Sequence, residues 1–149
     1  MKMASKLSLS VQYADDSEPP PRHRVRALVR AALPAGGSLT VRFVGGDEMA
    51  ALNRETRGKD GSTDVLSFAY RQHDGGAVVG DIVICPSVAA AAATAQQKNM
   101  MAHLSHLIVH GALHLAGYRH HTAAAAAAME RAECNILRRF GIDDPYLAP

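Results

Sequence analysis

The chain has 149 residues, of which 48% are hydrophobic and 20% charged, and its formal net charge is +2. This length and composition are typical of a folded domain and exclude an intrinsically disordered protein. No apolar run approaches the roughly 20 residues needed to cross a bilayer, and the N-terminus lacks the apolar core of a signal peptide. We therefore expect a cytoplasmic protein with no membrane partner. The small net charge neither requires nor excludes a nucleic-acid partner.

The first half of the chain predicts two strands and two helices in alternation. Alternating apolar residues predict a strand over Leu7–Tyr13, and helical spacing predicts a helix that ends near Leu33. A second strand is expected over Leu39–Val44. Asp47 is the expected N-cap of the helix that follows, because its carboxylate can accept a hydrogen bond from a free backbone N–H.

The middle of the chain predicts two further strands. A polar loop, Arg57–Thr63, leads into a β-rich run over Asp64–Tyr70. A turn is expected at His73–Gly76, before a strand over Val78–Cys85. A charged residue is unusual inside a strand, so Asp81 is a candidate hydrogen-bond partner for a histidine or an arginine.

The last third of the chain predicts helices only. Ser87 is the expected N-cap of an alanine-rich helix, a second helix ends near Gly117, and a third runs from about Thr122 to Phe140. The element order predicts an α/β (α+β) fold with a mixed four-stranded sheet and about five helices. We see no linker, so residues 1–149 are expected to form a single domain.

Six of the eight histidines lie between residues 103 and 121. His110 and His114 are four residues apart, which places both imidazoles on one face of a helix. Gly117 allows the helix to end and the chain to turn back, so that His120 can supply a third nitrogen. Three histidines predict a zinc ion with an open coordination position, which is typical of catalytic sites. His121 is a rival third ligand, and His106 is expected to pack or face solvent.

The same histidine spacing occurs in metzincin peptidases, which carry a glutamate immediately after the first histidine as general base. That position is Gly111 here, and glycine cannot accept a proton. The sequence therefore predicts the metal site without peptidase activity.

The segment HGALHLAGYRH, residues 110–120, resembles the H-G-x-L-H-L-x-G-Y-D-H signature of the YbeY family of bacterial single-strand-specific endoribonucleases. Four further segments are similar to family blocks and occur in the same order: Leu52–Asn53 with Arg57–Asp60, Thr63–Phe68, Gly80–Cys85 and Gly141–Tyr146. The resemblance spans about residues 40–146.

The resemblance implies a zinc-like ion on His110, His114 and His120, and an arginine, matching Arg57, that is needed for RNA cleavage. It also implies a role in 16S rRNA 3′-end maturation and ribosome quality control. The expected partners are single-stranded precursor 16S rRNA and small-subunit ribosomal proteins, with no DNA. The chain departs from the signature at Arg119, where the family has aspartate, and in the six alanines that follow Thr122.

The chemistry expected of these residues is phosphodiester hydrolysis. A metal ion polarises a phosphate oxygen or activates a water, and the Arg57 guanidinium stabilises the developing charge. Two other functions stay open: a non-catalytic ribosome assembly factor with a structural metal, and a hydrolase that acts on another substrate. Aromatic residues make up 5% of the chain, which disfavours a base-stacking platform.

Overall fold

The computed structural model describes residues 6–17, 19–71 and 77–147. Within these ranges the chain forms four strands and five helices. In chain order they are β1 (Leu7–Tyr13), α1 (Arg22–Ala32), β2 (Gly37–Phe43), α2 (Gly46–Arg57), β3 (Val65–Arg71), β4 (Val78–Ile84), α3 (Pro86–Ala95), α4 (Met100–Leu115) and α5 (Ala123–Arg138). The predicted fold class is confirmed, and the turn expected at His73–Gly76 lies outside the described residues.

The four strands form one mixed sheet in the order β1-β2-β4-β3. β1 pairs in parallel with β2, and β2 pairs in parallel with β4. β3 pairs antiparallel with β4 and forms one edge of the sheet.

Helices pack on both faces of this sheet. Alternate residues of β4 point to opposite faces, and Ile82 joins the larger buried cluster whereas Val83 joins the smaller one. The larger cluster includes Leu28 of α1, Ile108 of α4 and Leu137 of α5. The smaller cluster is built around Met49 of α2, together with Val44, Leu66 and Cys85. The helix α4 and the helix α2 therefore reach the edge strand from opposite sides.

Two helix starts differ from the sequence prediction. The N-cap of α2 is Gly45 rather than Asp47, which lies in the first turn where its charge faces the positive end of the helix dipole. The N-cap of α3 is Cys85 rather than Ser87. Pro86 begins that helix because proline lacks an N–H and its fixed φ suits the first helical position.

The third difference concerns Arg57, which was expected in a polar loop. It is the last residue of α2, and the loop begins at Gly58, whose φ of +65° ends the helix in the left-handed region. The turn before Arg57 is exposed, so its residues are polar and show no apolar periodicity although they are helical. None of the helices in the described ranges combines the length and apolarity that a membrane span needs.

Candidate metal centre

The helix α4 carries the first two histidines of the predicted site. It begins at an Asn99 cap, whose side chain accepts a hydrogen bond from the Ala102 N–H at 3.0 Å. His110 and His114 lie one turn apart on a half-buried face, and their Nε2 atoms are 3.1 Å apart. The i, i+4 spacing therefore brings the two nitrogens to one point, as the sequence predicts.

The turn after α4 brings the third histidine to the same point. Gly117 has a φ of +106°, its N–H bonds the His114 carbonyl, and the Tyr118 N–H bonds the Leu113 carbonyl. This pair of hydrogen bonds is a Schellman motif, which reverses the chain at a helix end. His120 then lies with its ring centroid 5.0 Å from that of His114. Metal-binding atoms of His110, His114 and His120 all lie within 4.8 Å of one another.

The hydrogen bonds on the far side of two rings determine which nitrogens carry protons. His114 Nδ1 lies 3.1 Å from the Tyr118 carbonyl oxygen, which can only accept, so Nδ1 carries the proton. His110 Nδ1 likewise lies 3.1 Å from a carboxylate oxygen of Glu133. In the neutral rings both Nε2 atoms therefore present lone pairs to each other across 3.1 Å. Two facing lone pairs repel unless a cation lies between them, so this donor set fits a divalent metal.

The charge state of His114 also suits a metal ligand. Burial is the largest cause of a lowered pKa at His114, and the nearby His110, His120 and Arg119 add to it. The hydrogen bond to the Tyr118 carbonyl acts in the opposite direction, and the resulting pKa is about 4. A metal ligand must be the neutral imidazole. His114 is consequently ready to bind a metal at neutral pH without first losing a proton.

Gly111 lies on the opposite side of α4, against the sheet. A Cβ at this position would lie 2.8 Å from Ile82 Cγ2 and 3.1 Å from Ser67 Oγ. The Ser67 hydroxyl donates a hydrogen bond to the Gly111 carbonyl at 3.2 Å, which ties α4 to β3. A glutamate here, as metzincins have, would point into the packed sheet rather than toward the histidines.

Sequence reasoning missed Glu133, which lies behind the histidines on α5. It is fully buried, and its carboxylate accepts hydrogen bonds from His106, His110 and Tyr146. Burial raises the pKa of the Glu133 carboxyl, but these three hydrogen bonds lower it to about 2, so the group is ionised. One signal was present in the sequence: Met129, Glu133 and Leu137 recur at helical spacing, and Glu133 is a charged residue on that buried face.

One expectation about neighbouring residues is wrong and another stays a prediction. Among the described contacts, the Asp81 carboxylate accepts a hydrogen bond from the Tyr70 hydroxyl at 2.6 Å, and a histidine or arginine partner for it stays a prediction. His106 is neither simply packed nor solvated, because its Nε2 lies 2.5 Å from Glu133 Oε2. His121 is exposed and is not part of the histidine cluster in the described residues.

Arg57 and the three histidines line one cleft of about 470 Å³, which follows the edge strand β3. Arg57 is exposed at the end of α2, whereas the histidines lie at the end of α4. Arg119 lines the same cleft, and its Nη1 donates to the His114 and Tyr118 carbonyl oxygens at 3.1 and 3.0 Å. The cleft therefore combines two guanidinium groups with a histidine cluster that fits a metal.

The mixed sheet, the three-histidine cluster and the arginine-lined cleft are the features to compare with those of known proteins. Residues 22–141 match the family model described as Endoribonuclease YbeY. Similar proteins with that description come from Paraburkholderia phytofirmans (44% identical, covering 98% of this chain and 99% of that protein) and Bordetella pertussis (46% identical, with the same coverage). The chain therefore belongs to the endoribonuclease YbeY family, and the resemblance found in its motifs is confirmed.

A solved structure agrees on the fold. The solution structure of a Thermotoga maritima protein superposes with a TM-score of 0.54 at 20% sequence identity. The superposition covers 93% of this chain and 99% of that one.

Proposed function

We propose that this chain is a metal-dependent endoribonuclease that cleaves single-stranded RNA, with His110, His114 and His120 as ligands of one zinc ion and Arg57 as the catalytic residue. Its proposed role is 16S rRNA 3′-end maturation and ribosome quality control in the cytoplasm. Small-subunit ribosomal proteins are its proposed partners. The family membership supports RNA as the substrate, and the cleft supports hydrolysis at a metal.

The observation that carries the proposal is the shared cleft. Arg57 precedes His110 by more than fifty residues in the chain, yet both line the cleft along β3. A planar guanidinium can grip a phosphate through two parallel N–H···O bonds. A phosphodiester in this cleft would thus contact the arginine and the histidine cluster at the same time.

Each residue has a defined task in this scheme. The three histidines hold the ion, which supplies Lewis-acid activation of water and of the phosphate when bound. Arg57 orients the scissile phosphate and stabilises the negative charge that develops on its oxygens. Arg119 adds positive potential to the cleft, which favours the approach of a polyanion.

The test is cleavage of a single-stranded rRNA fragment by the purified protein before and after treatment with a chelator. We expect cleavage to stop with chelator, to return with added zinc, and to be absent in His114→Ala, which should lose most of its bound metal. Elemental analysis of both proteins gives the metal content directly. A chelator-resistant activity would indicate a contaminating ribonuclease and would contradict the proposal.

The assembly-factor alternative makes the opposite prediction. If the metal is structural, His114→Ala unfolds the chain and the wild-type protein binds rRNA without cutting it. The cluster offers three histidine ligands, of which two are half-buried and one is exposed. Three ligands favour a catalytic metal, because a structural zinc normally has four protein ligands. Casein hydrolysis serves as a further control, and we expect none because Gly111 carries no carboxylate.

A further inference from the structure

Glu133 lies on the far side of the His110 ring from the histidine cluster. Its Oε2 is 3.1 Å from His110 Nδ1, while His110 Nε2 faces His114. Because the Glu133 carboxylate accepts this hydrogen bond, as it does those of His106 and Tyr146, it fixes the proton of His110 on Nδ1. The alternative tautomer would place that proton on Nε2, where it would block a metal.

Besides His110, two side chains hold this carboxylate in place. The Tyr146 hydroxyl donates to Oε1 at 2.6 Å, and His106 Nε2 lies 2.5 Å from Oε2. Tyr146 belongs to the segment after α5, and Lys98 anchors that segment by a hydrogen bond to the Pro145 carbonyl. An ionised carboxylate that is fully buried is costly unless it is hydrogen-bonded and compensated by positive charge. A divalent ion on His110 would supply that charge one imidazole ring away.

The group His106, His110 and Glu133 also has donor atoms close enough to suggest a second metal ion. The distances argue against it. Two atoms bound to one zinc at about 2.0–2.2 Å in tetrahedral geometry lie about 3.3–3.6 Å apart. His106 Nε2 and Glu133 Oε2 are 2.5 Å apart, which is a hydrogen bond.

We propose that Glu133 is a positioning residue of the metal centre, which fixes the tautomer and orientation of His110 and strengthens His110 Nε2 as a metal ligand. Tyr146 and His106 in turn hold Glu133 in place. This inference rests on the metal site proposed above. Hydrogen bonds of this kind typically change metal affinity by about 10- to 100-fold. The hydrogen bond from Tyr146 to Glu133 therefore makes the segment after α5 part of the support of the metal site.

The test measures zinc affinity by competition with a chromogenic chelator, without RNA. We expect Glu133→Gln to bind zinc about 10- to 100-fold more weakly, and Tyr146→Phe to bind it severalfold more weakly. The matched control is Glu130→Gln, which makes the same charge change at an exposed position of α5 and should change affinity less than twofold. Nitrogen-15 NMR of the metal-free proteins should show the His110 proton on Nδ1 in the wild type and a mixture of tautomers in Glu133→Gln.

The outcomes separate this inference from the proposed function. If Glu133→Gln binds zinc as tightly as the Glu130→Gln control, the inference is wrong even if RNA is cleaved. If Glu133→Gln does not fold, Tyr146→Phe decides, and wild-type affinity in that variant overturns the inference. A second zinc ion that disappears in His106→Gln also overturns it. If zinc binding weakens as expected but no protein cleaves RNA, Glu133 keeps its assignment and the ribonuclease proposal fails.

Discussion

On one side of the cleft, His110 and His114 project from α4, in which ten of the sixteen residues are buried. On the other side, Arg57 ends α2, in which Met49 and Asn53 are the buried residues among twelve. The helix α4 thus belongs to the larger buried cluster, whereas α2 packs on the smaller cluster at the other face of the sheet. We expect the packing of α4 to fix the positions of His110 and His114, whereas packing constrains the exposed Arg57 side chain much less.

The largest effect that tests this comparison is expected at Arg57. Arg57→Ala should lower the rate of RNA cleavage by about 10²–10³-fold, because one charge-stabilising donor is removed from the transition state. Its free energy of unfolding should stay within about 0.5 kcal/mol of wild type, as for other exposed positions, and its zinc content should not change. Initial rates, urea denaturation and elemental analysis measure the three quantities.

The matched control for that variant is Arg54→Ala on the same helix. Arg54 is exposed, is not among the residues that line the cleft, and its Nε lies 3.6 Å from a carboxylate oxygen of Asp60. Such exposed pairs contribute about 0–1 kcal/mol, so cleavage and stability should both persist. Normal cleavage by Arg57→Ala, or an equal loss in both variants, would remove Arg57 from the active site.

The parts of the site that are predictable from sequence are those fixed by local geometry. His110, His114 and Gly117 follow from the helical repeat and from the conformational freedom of glycine, and all three occupy the expected places. The cleft position of Arg57 needed the family resemblance, because no local rule joins α2 to α4. The two cap predictions at Asp47 and Ser87 failed because each helix begins two residues earlier than its polar side chain suggests.

Glu133 could not be predicted in the same way. Its partners His106 and His110 are 27 and 23 residues away, and Tyr146 is 13 residues away. Only the packing of α5 against α4 brings these groups together. The sequence carries the anomaly, a charge on the buried face of α5, but not the identity of the groups that compensate it.

A smaller effect is expected where α4 meets the sheet. Gly111→Ala should destabilise the metal-free protein by about 1–3 kcal/mol, because the new methyl group must displace Ile82 or Ser67. Gly46→Ala in α2 is the control: its Cβ would lie 3.5 Å from Ser62 Oγ, an ordinary contact. Urea denaturation should therefore separate the two substitutions. Equal stability of both variants would mean that α4 is not packed more tightly than α2.

The smallest effect concerns Arg119, which stands where the family signature has aspartate. The guanidinium donates to two carbonyl oxygens at the end of α4, where a cation is stabilised by the helix dipole. The positive charge of Arg119 also disfavours the binding of a metal cation by the histidines, just as it lowers the pKa of His114. Arg119→Asp should therefore tighten zinc binding about two- to fivefold at low salt, less at high salt, since exposed charges are screened.

Stability should move in the opposite direction. Arg119→Asp should lose about 0.3–1 kcal/mol of unfolding free energy, because a negative charge at a helix C-terminus is unfavourable and the two hydrogen bonds are lost. Arg119→Ala separates the two causes: it removes the hydrogen bonds and the cation without adding a carboxylate, so its zinc affinity should lie between those of the wild type and Arg119→Asp. If zinc affinity is the same in all three proteins at low salt, Arg119 acts only as a cap for α4. The zinc affinity of the three histidines would then not depend on the charge at residue 119.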